Sequence, residues 1–268
     1  SELTSGYSPK RLHAFVLSWN YIIFPIVVGA LLLPLSLAVP NELRLGFWLL
    51  AILPTTVSSA VVFSTVSKGN TSNAIFSTVF SNLLSVLLVP AVAVAYLSVE
   101  SGVSLSLSPL FSKLFLLIVA PLILGQLVRK WLPKISASIA NRTKGFGNWI
   151  IVFIVHCAFA QSVSSGFLIE LGLFSIFKVI SITILILLSV SQFVWWSSNL
   201  FNLSKEQRIS AFFCSSQKSL ATGLPLTTSI LALAPDIVDA ASVLIPLMCY
   251  HPAQLILAGI LSNRWGSK

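Results

Sequence analysis

A lysine in the middle of a long uncharged stretch is the residue best able to do chemistry in this chain of 268 residues. Lys218 follows Gln217 in a Ser-Ser-Gln-Lys-Ser run, and Gly223 and Pro225 come soon after it. An ionisable side chain at membrane depth is costly and marks a functional site by default. Such an ammonium could carry a proton, hold an anionic solute or stand in for a bound cation. A snorkelling lysine would lie nearer a segment end, so we interpret Gln217 and Lys218 as site residues in an unwound segment.

A second polar run interrupts an earlier apolar segment. Pro54 is followed by two threonines, and Ser58 and Ser59 come directly after Val57. A proline inside a helix removes a hydrogen bond and kinks the backbone. The freed main-chain groups then need a neighbour, water or an ion. Ser58 and Ser59 could therefore offer hydroxyls to an ion or a solute. The alternative is that small hydroxyl residues simply allow close helix packing.

A third group of polar residues forms one face of a predicted helix. Ser77, Ser81 and Ser85 recur every four residues, and Thr78 and Asn82 lie on the adjoining stripe. Thr78 and Asn82 could line a binding site from a second side. The alternative is a helix–helix seam with interhelical hydrogen bonds.

Two histidines in apolar segments are candidates for a proton relay. His156 lies near the middle of its segment, and His251 precedes Pro252, where we expect another helix break. A structural, hydrogen-bonded role is the alternative for both.

These residues must be positioned by membrane-spanning helices. The chain is 56% hydrophobic and 9% charged, which is far less charged than a soluble domain and indicates an all-α integral membrane protein. None of the segments shows the alternation of a membrane strand. Eight segments are long enough to cross a bilayer, and they lie at approximately 12–33, 45–67, 71–98, 110–129, 147–168, 174–200, 208–232 and 240–263.

Charge distribution predicts the orientation of these spans and excludes several classes of function. Twelve Lys and Arg residues fall on one side and three on the other, so we expect the first side and both ends of the chain to be cytoplasmic. The net charge of +9 lies in short loops, which argues against nucleic-acid binding. The chain has no phosphate-binding glycine loop and no hydrolase elbow motif, and we expect no enzymatic activity.

The polar interruptions occur at matching positions in the two ends of the chain. The first three and the last three predicted helices have opposite topology, and the middle helix of each triplet is interrupted. This pattern is typical of inverted-repeat transporters, which bind their solute near the membrane midplane.

Several motifs resemble the bile acid:sodium symporter family of solute carrier 10 type, in particular the branch of its seventh human paralogue and bacterial sodium-dependent transporters. The resemblance covers almost the whole chain, in the order Glu2-Leu3-Thr4-Ser5, Leu12-His13, Pro54–Val61, Lys68-Gly69-Asn70, Asn73–Phe76, Phe213–Leu220, Gly223-Leu224-Pro225 and Tyr250–Gln254.

The resemblance implies a ten-helix fold with a panel domain, a core domain and two broken helices that cross. The eight spans would be family helices three to ten, with the first two absent from this chain. Residues 1–98 would hold core helices three to five, and residues 99–170 panel helices six and seven with a basic cytoplasmic loop. Residues 171–268 would hold core helices eight to ten.

The resemblance also implies two sodium ions at the crossing, with one site near Gln217 and Thr78. The family's asparagine next to this glutamine is Lys218 here, and its glutamate falls near Phe213 or Cys214. Its Ser-Asn pair falls near Ala60 and Val61, or on Ser58 and Ser59 if the alignment shifts. Lys218 could therefore replace one sodium ion.

The resulting prediction is a secondary active transporter of the plasma (bacterial inner) membrane that moves a small organic, anionic solute by sodium symport. It needs no cofactor other than Na⁺, and its partners are the solute and the lipid bilayer. Proton-coupled or sodium-independent transport through Lys218 is the first alternative. The second is a membrane regulator of calcium homeostasis that transports nothing. Solute identity and oligomeric state do not follow from the sequence.

Overall fold

The structure is a computed structural model. It describes residues 6–35, 39, 41–101, 112, 116, 120–143, 166–231 and 240–267, and the positions 146, 149, 152, 153, 156, 157, 160, 163 and 164. Within those residues, every regular element is a helix. The ten helices used below are α1 (Lys10–Leu32), α2 (Asn41–Ile52), α3 (Ser58–Val66), α4 (Thr71–Ser101), α5 (Ala120–Trp131), α6 (Pro133–Arg142), α7 (Phe167–Ser197), α8 (Lys205–Ser216), α9 (Leu220–Leu231) and α10 (Ala240–Gly266).

Four helices are apolar and long enough to cross a membrane, which agrees with a helical membrane protein. They cover Lys10–Leu32, Thr71–Tyr96, Gly172–Phe201 and Val243–Gly266, and they match the first, third, sixth and eighth predicted spans. The structure describes the predicted spans 110–129 and 147–168 only in part. The predicted total of eight therefore stays a prediction.

The second and seventh predicted spans are each divided into two half helices. α2 ends at Ile52 and α3 begins at Ser58, whereas α8 ends at Ser216 and α9 begins at Leu220. The interruptions predicted from the polar runs are confirmed. The second one is shorter than expected, because residues 217–219 alone are unwound and Pro225 lies inside α9.

The predicted break at Pro252 is wrong. α10 continues through both Pro246 and Pro252 to Gly266. A proline removes only one main-chain hydrogen bond, and in a membrane helix neighbouring helices can compensate for that loss. α10 packs against α2, α3, α7 and α9, which support it on several sides.

The half helix α8 is surrounded by four other helices and starts from a well-formed cap. It packs against α1, α3, α4 and α7, and every residue from Ile209 to Ser216 is buried. Ser204 and Gln207 form a capping box at its start. The Ser204 hydroxyl also donates to Glu206 at 2.7 Å, and this bond lowers the pKa of the Glu206 carboxyl. An ionised carboxylate is favoured in the first turn of a helix.

Candidate functional site

The two unwound segments touch each other and form one site, which we call the junction (residues 53–57 and 217–219). The Ser219 N–H donates to the Pro54 carbonyl at 2.8 Å. The Ser59 hydroxyl, in the first turn of α3, donates to Gln217 Oε1 at 2.8 Å. The two interruptions are thus joined through both main-chain and side-chain hydrogen bonds.

Lys218 is completely buried in the junction, and its side chain is bound by the main chain of two other helices. Nζ donates to the carbonyl oxygens of Asn20 at 3.1 Å, Ala51 at 2.8 Å and Leu53 at 2.8 Å. An ammonium group carries three N–H donors and no acceptor. The three carbonyls therefore match the protonated form of Lys218 and use all of its hydrogen-bonding capacity.

The surroundings of Nζ stabilise a positive charge although no carboxylate is among its three acceptors. Ala51 and Leu53 lie at the C-terminal end of α2, where the helix dipole is negative. Asn20 belongs to a π-helical turn of α1, Trp19–Ile23, and such turns are frequent at functional sites. Nζ also lies 4.1 Å from the ring centroid of Phe24, within the range of a cation–π interaction.

Buried side chains replace the helical partners that the second interruption has lost. Asn20 Nδ2 donates to the Cys214 carbonyl at 3.1 Å, and the Tyr250 hydroxyl donates to the Ser216 carbonyl at 2.8 Å. The Gln254 side chain binds both main-chain groups of Lys218. Carbonyls that end a half helix could otherwise coordinate a cation.

The first interruption is bound in the same way from α4. Asn82 Nδ2 donates to the Thr55 carbonyl at 2.8 Å, and Asn82 Oδ1 accepts a hydrogen bond from Thr222 of α9 at 2.8 Å. Asn82 thus connects the two broken helices. Hydrogen-bonding capacity nevertheless remains in the junction, because Gln217 Nε2 and the hydroxyls of Thr55 and Ser215 are buried without a partner. Such groups could bind a solute.

The structure brings four of the predicted site residues together and leaves two at the edge. Lys218 and Gln217 belong to the junction, and Ser59 and Asn82 bind it through hydrogen bonds to Gln217 and to the Thr55 carbonyl. Ser58 is exposed at the start of α3. Thr78 lies one turn before Asn82, and its hydroxyl donates to the Ile75 carbonyl of its own helix at 3.0 Å.

Ser77 and Ser81 of the polar face of α4 form a seam with α1, as one of the two alternatives anticipated. Ser77 lies 2.7 Å from His13 Nδ1, and the main-chain oxygen of Ser81 accepts the Tyr21 hydroxyl at 2.5 Å. Only Asn82 of this face reaches the junction.

The two candidate relay histidines have different positions. His251 lies next to the junction, with Nδ1 2.9 Å from Gln254 Nε2. His156 is exposed, and no contact described for it joins it to Lys218 or Gln217.

Sequence reasoning missed Asn20, Thr222, Tyr250 and Gln254 as parts of the site. Asn20 and Gln254 are amides inside apolar segments and are 0% and 2% exposed. Buried polar groups need partners, so an amide within an apolar span is the signal that could have identified both.

Comparison with known proteins assigns this chain to a family, since a family match extends over residues 1–267. The chain belongs to the SBF-like CPA transporter family. Its relatives in this family include proteins named sodium/bile acid cotransporter 7 from Mus musculus, 29% identical over 97% of this chain and 76% of the relative, and from Danio rerio, 31% identical over 97% and 76%. YfeH of Escherichia coli strain K12 is 31% identical over 98% of this chain and 77% of its own length.

Proposed function

We propose that this SBF-like protein is a secondary active transporter, not an enzyme, that moves a small organic anion across the membrane through the junction. The observation that carries the proposal is the meeting of two broken helices around the fully buried ammonium of Lys218. Broken helices in transporters bind solutes and ions between their half-helix ends. The family of the chain supports transport as the general activity.

The proposed fold places the junction between two inverted repeats. The order long helix, broken pair, long helix occurs in α1–α4 and again in α7–α10. We assign these helices to a core domain, and residues 99–170 to the panel against which the core rocks to give alternating access. Both chain ends would be cytoplasmic, in a bacterial-type inner membrane.

The proposed solute is an anion because the junction offers positive charge and unused donors. Lys218 supplies a fixed charge, and Gln217 Nε2 is a buried donor without a partner. The half helix α3 also begins here, without a side-chain cap, and a helix N-terminus favours anionic groups. Ser59 and Asn82 would orient the solute, with Ser58 and Thr78 at the edge.

Sodium symport is the first candidate for energy coupling. Two relatives are named sodium/bile acid cotransporters, and carbonyls at half-helix ends are typical sodium ligands. Na⁺ would lie near Gln217 and Thr78.

Sodium-independent transport is the second candidate, and one observation favours it. The carbonyls of Asn20, Ala51 and Leu53 already bind the ammonium of Lys218. A cation that is part of the chain thus fills one cation position. Proton coupling through Lys218 is a variant of this candidate, but deprotonation would leave one of three buried carbonyls without a donor.

Flux into proteoliposomes tests both the proposed transport of an organic anion and its coupling to an ion. We expect the purified protein to accumulate taurocholate or oestrone 3-sulfate above protein-free liposomes, and Lys218→Met to abolish the difference. Uptake that needs an inward Na⁺ gradient supports symport. Equal uptake with choline in place of Na⁺ supports the second candidate, and a further response to a proton gradient identifies proton coupling. If neither anion moves under any gradient, the proposed organic-anion transport is contradicted.

A further inference from the structure

Gln254 binds both main-chain groups of Lys218, the residue on whose position the junction depends. The Lys218 N–H donates to Gln254 Oε1 at 2.7 Å, and Gln254 Nε2 donates to the Lys218 carbonyl at 2.8 Å. Gln254 is 2% exposed, so water does not compete for these bonds. A two-point amide pair of this kind is what an adjacent β-strand would provide.

This pair determines where the Lys218 side chain starts. Gln217 and Lys218 have no helical hydrogen bonds of their own to hold them, because α8 has ended and the first carbonyl that accepts a bond of α9 is that of Ser219, from the Gly223 N–H at 2.9 Å. The ammonium reaches the carbonyls of Ala51 and Leu53, both at 2.8 Å, only while the main chain of Lys218 stays in place. A displacement of about 1 Å would lengthen these bonds beyond hydrogen-bonding distance.

His251 orients the Gln254 amide from one turn earlier in α10. Its Nδ1 lies 2.9 Å from Gln254 Nε2, so the second N–H of the amide has an acceptor when Nδ1 carries no proton. The reversed amide would direct Oε1 at the Lys218 carbonyl. His251 thus favours the one amide orientation that binds both groups of Lys218.

We propose that Gln254 is a positioning residue that fixes the main chain of Lys218, and that His251 sets the orientation of its amide. The inference rests on the proposed role of Lys218 in transport. It is tested by a measurement that needs no solute, so its failure can be distinguished from failure of the proposed function.

Hydrogen–deuterium exchange of the purified full chain provides the test, with mass spectrometry of a peptide that covers residues 217–219. In the wild type we expect slow exchange at Lys218. Gln254→Leu removes both bonds and should accelerate this exchange about tenfold or more, which corresponds to the loss of a buried hydrogen bond. Gln254→Glu keeps an acceptor for the Lys218 N–H, but at neutral pH it sets a carboxylate oxygen against the Lys218 carbonyl. This repulsion should displace the main chain of Lys218 and accelerate its exchange.

The pH dependence of Gln254→Glu distinguishes positioning from general destabilisation. Lowering the pH from about 8 to about 4.5, near the ordinary pKa of glutamic acid, protonates the carboxylate of this variant. The protonated group again has a donor toward the Lys218 carbonyl. Protection of the peptide should then return, relative to the same peptide in the wild type at each pH. Gln254→Leu should show no such recovery. His251→Ala should accelerate exchange less than Gln254→Leu does.

The matched control is Ser262→Ala, because Ser262 is another buried polar residue of α10 and donates only within its own helix, to Gly259. We expect the peptide that covers residues 217–219 to exchange in this variant at the wild-type rate. Equal exchange in wild type and Gln254→Glu at neutral pH would overturn the proposal, and so would exchange in Gln254→Glu that stays fast at low pH. If Gln254→Leu fails to fold, the Glu variant alone decides.

Discussion

At the scale of single residues, Lys218 behaves as a cation whose ligands are main-chain oxygens. Its three N–H groups are all donated, to carbonyls from α1 and from the end of α2. Removing the side chain would leave three buried carbonyls without donors, and each such group costs about 1–3 kcal/mol. A free cation of suitable size could then take the vacated position.

We therefore predict that Lys218→Ala makes the stability of the protein depend on Na⁺. Sodium-independent transport predicts that the wild type melts at the same temperature in NaCl and in choline chloride, whereas a sodium ion near Gln217 and Thr78 would add the same response to every variant. The Ala variant should melt lower in choline, and Na⁺ should raise its melting temperature by roughly 3 °C or more, since a ligand that binds only the folded state stabilises it. Tryptophan fluorescence during heating measures both.

Lys218→Met is the control for this experiment, because its side chain fills the space that Na⁺ would occupy. It should be destabilised without a response to Na⁺. Equal Na⁺ responses in all three proteins would contradict the idea that Lys218 fills a cation position.

The importance of Lys218 could be predicted from its type and its place in an apolar span, but its ligands could not. Main-chain carbonyls are present at every residue, so no side-chain pattern marks Ala51 or Leu53. Their role arises only because α2 ends next to the junction. Gln254 was missed for a related reason, since its two bonds to the junction go to the main chain of Lys218.

At the scale of elements, the interruptions depend on tertiary context as well as on proline. Pro54 lies within a break, whereas Pro252 lies within a continuous helix. The unwound main chain at Pro54 is bound by other elements, since Asn82 donates to the Thr55 carbonyl and the Ser219 N–H donates to the Pro54 carbonyl. The helix that contains Pro252 is instead packed by α2, α3, α7 and α9. The sequence therefore predicted the positions of the polar breaks, but not which proline would lie within a continuous helix.

Close packing of α2 on α10 gives a prediction at this scale. A Cβ added at Gly46 would meet the main-chain oxygen of Val243 and the ring of Pro246, whereas one at Gly259 would meet nothing within 4 Å. Gly46→Ala should therefore cost about 1–3 kcal/mol through overpacking and lower the melting temperature by several degrees. Gly259→Ala, in the same α10, should be neutral or stabilising by up to about 1 kcal/mol. Similar melting of the two variants would argue against this close approach.

At the scale of the whole molecule, the charge distribution predicts which ends of the helices face the cytoplasm. In a variant without native cysteines, Lys178→Cys should react with a membrane-impermeant maleimide added to intact cells. Lys68→Cys and Lys205→Cys should react only after the membrane is opened, because both belong to the basic side. The reverse labelling pattern would invert the proposed topology and the proposed orientation of both repeats.

The positive charge of the junction belongs to a side chain of the protein, and this affects the direction of transport. A sodium ion that enters with an anion cancels its charge, whereas the Lys218 ammonium returns with the protein after every turnover. Each cycle of the sodium-independent form would then move only the charge of the solute. A potential that is negative inside opposes the entry of one negative charge by about 2.3 kcal/mol per 100 mV, and favours its exit by the same amount. A carrier with this built-in cation is suited to exporting its anion, and current recorded across the membrane during transport would report that direction.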